Sequence, residues 1–144
     1  MVIGIFGESC TGKSTLASRL KAICNATVYS GKDYLRLSKQ EDEAKALFRQ
    51  LLTSAVTQGC VIYVISEPEQ LSLLPGEALR ILVTADLETI QERFAQRMHG
   101  KLPPPVAAML ERKHGCFDHE AHDIHVVSGV TDLQDVCKQV RRLL

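Results

Sequence analysis

The sequence predicts a three-layer α/β domain: a parallel sheet of five strands with helices on both faces. Three observations predict it. Short apolar, β-branched runs alternate with segments of helical periodicity along the whole chain. Two of those runs, residues 60–65 and Leu79–Thr84, are continuous enough for strands covered on both faces. The intervening helical segments are long enough to serve as crossovers, and strands joined that way pair in parallel.

Taken in order, Val2–Phe6 is a β-rich run that ends at Gly7, and Leu16, Leu20 and Ile23 then repeat at helical spacing. Residues 26–30 read as a brief second strand. Ser38 and Glu41 have the spacing of a capping box, and Ala44, Leu47, Phe48, Leu51 and Ala55 mark one face of the helix that follows, ending near Gly59. Residues 60–65 form the third strand, 67–77 a loop carrying Pro68 and Pro75, and Leu79–Thr84 the fourth strand despite Arg80. Asp86 caps a helix whose Leu87, Ile90, Phe94 and Met98 face inward. Ile124–Val127 is the last strand, and residues 133–144 an amphipathic helix, with Thr131 and Gln134 spaced as its capping box. Ligands of such sheets sit beyond the carboxyl ends of the strands, where Gly7, the residues after Ser30, Glu67 and the segment after Met98 all fall.

The 144 residues fit one domain, 1–144, with no internal repeat, low-complexity tract or long linker. Seventeen Lys and Arg balance seventeen Asp and Glu, so no overall field gathers nucleic acid or an anionic membrane, and a small soluble partner is expected. Five scattered cysteines without a CxxC pair argue against a disulfide framework and point to reduced thiols in a cytoplasmic protein. The six apolar residues at the start are too few for a signal peptide or a membrane span.

The decisive segment is Gly7-Glu8-Ser9-Cys10-Thr11-Gly12-Lys13-Ser14-Thr15, which matches GxxxxGK[ST] between a predicted strand and a predicted helix. A chain of this length meets that pattern by chance only about half a per cent of the time, so a nucleoside triphosphate site outweighs a fortuitous glycine turn. Gly7 and Gly12 let the backbone turn so that successive N–H groups converge on phosphate oxygens at a helix N-terminus. Lys13 reaches the β- and γ-phosphates, Ser14 ligates Mg²⁺, and Thr15 lies near the α-phosphate. The same N–H-rich loop favours a reactive thiol at Cys10.

With these residues the chain resembles the P-loop nucleoside and nucleotide kinase family, the group that holds adenylate, cytidylate, shikimate and gluconate kinases. The resemblance rests on the phosphate loop, on Gly31-Lys32-Asp33-Tyr34-Leu35-Arg36, and on Glu92-Arg93-Phe94-Ala95-Gln96-Arg97. It implies the P-loop NTPase fold with strand order 2-3-1-4-5, ATP and Mg²⁺ as cofactors, and a short lid at about 99–117. Asp33 and Arg36 match the acidic and basic positions of the segment that helps hold the phosphoryl acceptor. A carboxylate there can accept from an attacking hydroxyl, and a guanidinium can grip a phosphate or carboxylate. Arg93 and Arg97 share one helical face and resemble the lid arginines that close over the nucleotide. Glu67, after the third strand, stands where an acidic residue holds Mg²⁺ through water or orients the acceptor.

The lid has Gly100 as a flexible entry, Pro103 to Pro105 as a stiff stretch, and a short helix through Val106, Met109 and Leu110 that stops at Gly115. Lys101, Arg112 and Lys113 make it basic. His114, Cys116, His119, His122 and His125 match no familiar zinc spacing and read as surface residues. The Asp-Gly-Phe-Pro-Arg run of adenylate kinases is missing, replaced by Val64-Ile65-Ser66-Glu67-Pro68-Glu69, and the paired aspartates of shikimate kinases are absent too. The expectation is an ATP-dependent small-molecule kinase with its acceptor and oligomeric state open. Lys13, Asp33, Arg93 and Arg97 are its catalytic candidates, and Asp33, Arg36 and Glu67 its acceptor-binding ones. The alternative is a regulatory protein that binds ATP or hydrolyses it slowly. A GTPase-like switch is disfavoured because no Asn-Lys-x-Asp segment occurs.

Overall fold

The computed structural model describes residues 1–144. In chain order the elements are β1 (Val2–Phe6), α1 (Lys13–Cys24), β2 (Thr27–Ser30), α2 (Glu41–Ala55), β3 (Val61–Ile65), β4 (Leu79–Thr84), α3 (Leu87–Arg97), α4 (Pro104–Lys113), β5 (Ile124–Val127) and α5 (Leu133–Leu143). Tight 3₁₀ turns occupy Asp33–Leu37 and Pro68–Leu73. Every strand pairing is parallel, and the order is β2-β3-β1-β4-β5. No helix is long and apolar enough to cross a membrane.

The period of two along each strand divides the core. Ile3, Ile5, Ile62, Val64, Ile81, Val83 and Val126 face one way, onto Leu16, Ala17 and Leu20 of α1 and Val136 and Val140 of α5. Val2, Phe6, Val61, Tyr63, Ile65 and Leu82 face the other way, onto Ala44, Phe48 and Leu52 of α2 and the 3₁₀ residues Leu71 and Leu73. β1 is paired on both edges, by β3 and β4, and covered on both faces by these two clusters, so all five of its residues are buried. Each fully buried Leu, Ile or Phe contributes roughly 1.5–3 kcal/mol relative to exposure, so this central strand is held hard and the loop leaving it has a fixed origin.

Several local expectations are corrected. Ser38 is not the cap of α2: Gln40 stands at that position, and the Ser38 hydroxyl accepts from the Gln40 N–H at 3.2 Å and donates to the Glu43 carboxylate at 3.0 Å. Asp132, not Thr131, caps α5, accepting from the Gln134 N–H at 2.9 Å, while the Thr131 hydroxyl accepts from the Val127 N–H at 2.8 Å. Residues 67–77 are not all loop, since Pro68 opens a 3₁₀ turn. Pro104 begins α4 instead of stiffening a coil, because a missing N–H costs nothing in a first helical turn. The apolar face of α3 meets α4 rather than the sheet: Ile90, Leu87 and Phe94 pack with Leu110, Val106 and Met109. Asp86 does cap α3, with the Thr89 N–H 2.7 Å from its carboxylate.

The segment after α4 returns to the sheet at Phe117, which is 1% exposed and lies 5.7 Å from Phe6 between ring centroids. Phe117→Ala is therefore expected to cost about 3–5 kcal/mol, read as a lower urea midpoint with an unchanged slope.

Candidate functional site

Gly7 leaves β1 directly against its neighbour: a Cβ there would lie 2.1 Å from the Val83 carbonyl oxygen, so no other residue fits without moving the sheet. The loop then turns through Cys10 at φ 63° and Gly12 at φ 101°, both left-handed, and Cys10 is strained there in a way glycine would not be. Three carbonyls along this path are bound by side chains. The Lys13 ammonium donates to the Gly7 and Glu8 oxygens at 2.8 and 2.6 Å, the Thr11 hydroxyl to Glu8 at 2.8 Å, and the Arg93 guanidinium to Cys10 at 2.9 Å. By contrast, the backbone N–H groups from Glu8 through Thr15 find no acceptor in the protein. N–H groups left free in a row at a helix N-terminus make a seat for an anion.

A cleft of about 350 Å³ opens above this loop, lined by Ser9, Cys10, Lys13 and Ser14 from the loop and by Ser66 and Arg97. The Ser14 hydroxyl is exposed and makes no protein hydrogen bond, so it is free to ligate a cation. No carboxylate lines the cleft, so Mg²⁺ held there would take Ser14 as its side-chain ligand and complete its shell with phosphate oxygens and water. A second recess of about 190 Å³ runs from Thr11, Gly12 and Thr15 past Arg93 to Ser128, Gly129 and Thr131 after β5. Sequence reasoning missed this wall. The signal available was a Ser-Gly pair at the carboxyl edge of the last strand.

The acceptor candidates separate. Asp33 is turned onto its own segment: its carboxylate accepts from the Ser30 N–H at 2.8 Å and pairs at 3.6 Å with Arg36, whose side chain is 84% exposed. Neither lines the phosphate cleft or the two clefts beside it. Glu67 lies outside the phosphate cleft as well and pairs with Lys113 of α4 at 3.3 Å. It lines a cleft of about 420 Å³ between α4 and the 3₁₀ turn, which shares Ser9 and Ser66 with the phosphate cleft and is walled by Pro68, Met109 and Leu110.

Glu8, expected among the phosphate-loop residues, also ties the end of α4 to the loop. Its carboxylate meets His114 at 3.0 Å and accepts from the Gly115 N–H at 3.2 Å. His125 pairs with the Thr84 hydroxyl at 2.8 Å and His122 with the Glu120 carbonyl at 3.0 Å, and no three His, Cys, Asp or Glu side chains converge as metal ligands. Cys10 is only 7% exposed, which limits access to the thiol that the sequence marks as reactive.

No family model and no curated protein sequence matches the chain. Solved structures do. A protein of Chloroflexus aurantiacus J-10-fl, provisionally assigned as a kinase, superposes with a TM-score of 0.70 at 14% identity, over 99% of this chain and 97% of that one. A gluconokinase from Sinorhizobium meliloti 1021 gives 0.60 at 13%, covering 98% and 89%, and the shikimate kinase of Aquifex aeolicus VF5 gives 0.51 at 18%, covering 97% and 93%. The fold is that of the P-loop kinases.

On this P-loop kinase fold the electrostatics of Lys13 carry a measurable consequence. Burial lowers its pKa from 10.5 to about 8, with Arg97 adding to the fall and Cys10 and Glu8 opposing it. The fold therefore disfavours the charged ammonium until a phosphate compensates it. MgATP affinity is expected to hold between about pH 7 and 8 and then to fall toward tenfold per pH unit, with a proton taken up on binding. Calorimetry at pH 8.5 in buffers of different ionisation enthalpy measures that uptake, and Lys13→Arg, which stays charged, should bind without it.

Proposed function

We propose that the chain is an ATP-dependent small-molecule kinase, acting as one domain over residues 1–144 with 99–117 as its lid. The observation that carries the reading is the run of unsatisfied N–H groups from Glu8 to Thr15 around a buried Lys13, opening directly into a second cleft through Ser9 and Ser66. The loop N–H groups and Lys13 hold the β- and γ-phosphates. Arg93 fixes the loop through the Cys10 carbonyl and borders the recess for the base, and Arg97 faces the transferring group. Mg²⁺ on Ser14 supplies charge neutralisation across the phosphates.

Transfer is an in-line displacement: an acceptor oxygen bonds to the γ-phosphorus as the bond to the ADP oxygen breaks, and no covalent enzyme intermediate forms. The acceptor enters between α4 and the 3₁₀ turn, where Glu67 is placed to accept a hydrogen bond from its hydroxyl and the apolar wall of Met109 and Leu110 excludes water. Asp33 and Arg36 stand outside this entrance, paired with each other on the turn after β2. The balanced charge and reduced cysteines suit a cytoplasmic enzyme.

A second reading, a regulatory protein that binds ATP and hydrolyses it slowly, draws support from one observation: no carboxylate lines the phosphate cleft. Mg²⁺-dependent ADP release across a panel of nucleosides, nucleoside monophosphates, sugar acids and shikimate separates the two. One acceptor should raise turnover at least tenfold, with Lys13→Ala reducing it by a factor of at least ~100. ATP binding with no acceptor-stimulated turnover would put the regulatory reading in its place.

A further inference from the structure

The cysteines are scattered along the sequence, but the fold gathers Cys24, Cys60 and Cys137 against one core cluster. Cys24 ends α1, Cys60 immediately precedes β3, and Cys137 lies in α5. Each is a free, half-buried thiol, neither sealed in the core nor loose on the surface. Cys24 and the phosphate loop stand at opposite ends of α1, whose length from Lys13 is roughly 17 Å.

Backbone geometry sets Cys24 beside Cys60. The Asn25 and Ala26 N–H groups both bond the Lys21 carbonyl, which turns the chain sharply after α1. The Thr27 N–H then donates to the Cys60 carbonyl at 3.1 Å, as β2 enters the sheet next to β3. The thiols report the same neighbourhood. Burial pushes the Cys24 thiol up to about 11, and the charge and hydrogen bond of the Cys60 thiol add to the rise. Burial raises Cys137 as well, against Arg19 and Arg141, and Cys24 reaches it through charge. Cys60 is thus the bonded partner of Cys24, and Cys137 the more distant one.

The strand between the paired cysteines is β2. It stands at the edge of the sheet and is the one strand with no buried residue, so little besides its pairing with β3 holds it.

We infer that Cys24 and Cys60 form a reversible modification site, a dithiol that closes to a disulfide by exchange with a small-molecule disulfide and fastens β2 to the sheet. The inference does not depend on the kinase reading. One protein thiolate attacks the small disulfide, bonding to one sulfur and releasing the other as a thiolate. The second protein thiolate then attacks the mixed disulfide and displaces the remaining small thiolate. The pair gives up two electrons and two protons, and the small disulfide leaves as two thiols. The new bond closes residues 24–60, with β2 and α2, into one loop and stabilises the fold by restricting the unfolded chain. With Cys24 held protonated by burial, closure is slow, over minutes to hours.

The test incubates the full chain with excess oxidised glutathione, caps the remaining thiols with N-ethylmaleimide, and maps its peptides by mass before and after dithiothreitol. The expected product joins the Cys24 and Cys60 peptides and separates on reduction. Cys24→Ser and Cys60→Ser should each stop closure and leave a glutathione adduct on the remaining thiol, whereas Cys137→Ser should still close. Relative to Cys24→Ser treated in the same way, the closed chain should melt higher by about 5 °C or more, with slower amide exchange along β2. Peptide mapping of the unaltered chain decides the pairing even where a serine variant folds poorly. Thiols that stay free, glutathione adducts without closure, a link made through Cys137, or a melting temperature that does not rise would each overturn the inference.

Discussion

The Lys13 ammonium, bonded to the carbonyls of Gly7 and Glu8, is the contact on which the candidate site depends. Pulling those oxygens to one side of the loop leaves the peptide N–H groups on the other. The arrangement is possible because β1 ends at a glycine packed against Val83, and because Cys10 and Gly12 accept left-handed backbone. A buried ammonium is costly to keep, and here two carbonyls offset part of that cost while the third N–H direction is left for a phosphate. The loop thus stores an electrostatic imbalance that an anion relieves.

Everything else at the carboxyl edge of the sheet is arranged around that imbalance. α3 sends Arg93 to the loop and Arg97 to the cleft above it, four residues and about one helical turn apart. α4 packs on α3 instead of the sheet, so its Met109 and Leu110 form a roof over space rather than filling core. The 3₁₀ turn after β3 forms the floor of the same trough. Its residues Leu71 and Leu73 are anchored in the main core, which gives Glu67 and Gln70 fixed positions at the cleft margins.

The sheet and the phosphate loop were legible because each is written in a local, redundant code. Five apolar β1 residues, glycines at positions 7 and 12 and a helical repeat after Lys13 all agree. Capping was less legible. Ser38 and Thr131 have the right spacing, but a residue with a competing local hydrogen bond nearby, Gln40's N–H in one case and Val127's in the other, takes the hydroxyl first. The clefts beside the loop were least legible, since Asp33 and Arg36 satisfy each other and the turn, while the second cleft draws Ser9, Glu67 and Met109 from three separate segments with no sequence pattern in common. Tertiary convergence of that kind leaves no trace in spacing.

Glu8 makes one last consequence visible. Its carbonyl oxygen is held by Lys13 and Thr11, and its carboxylate by His114 and Gly115, so a single residue belongs both to the phosphate loop and to the turn that ends α4. A displacement of that one residue would be felt at both places, so the phosphate loop and the base of the α4 roof form a single mechanical part.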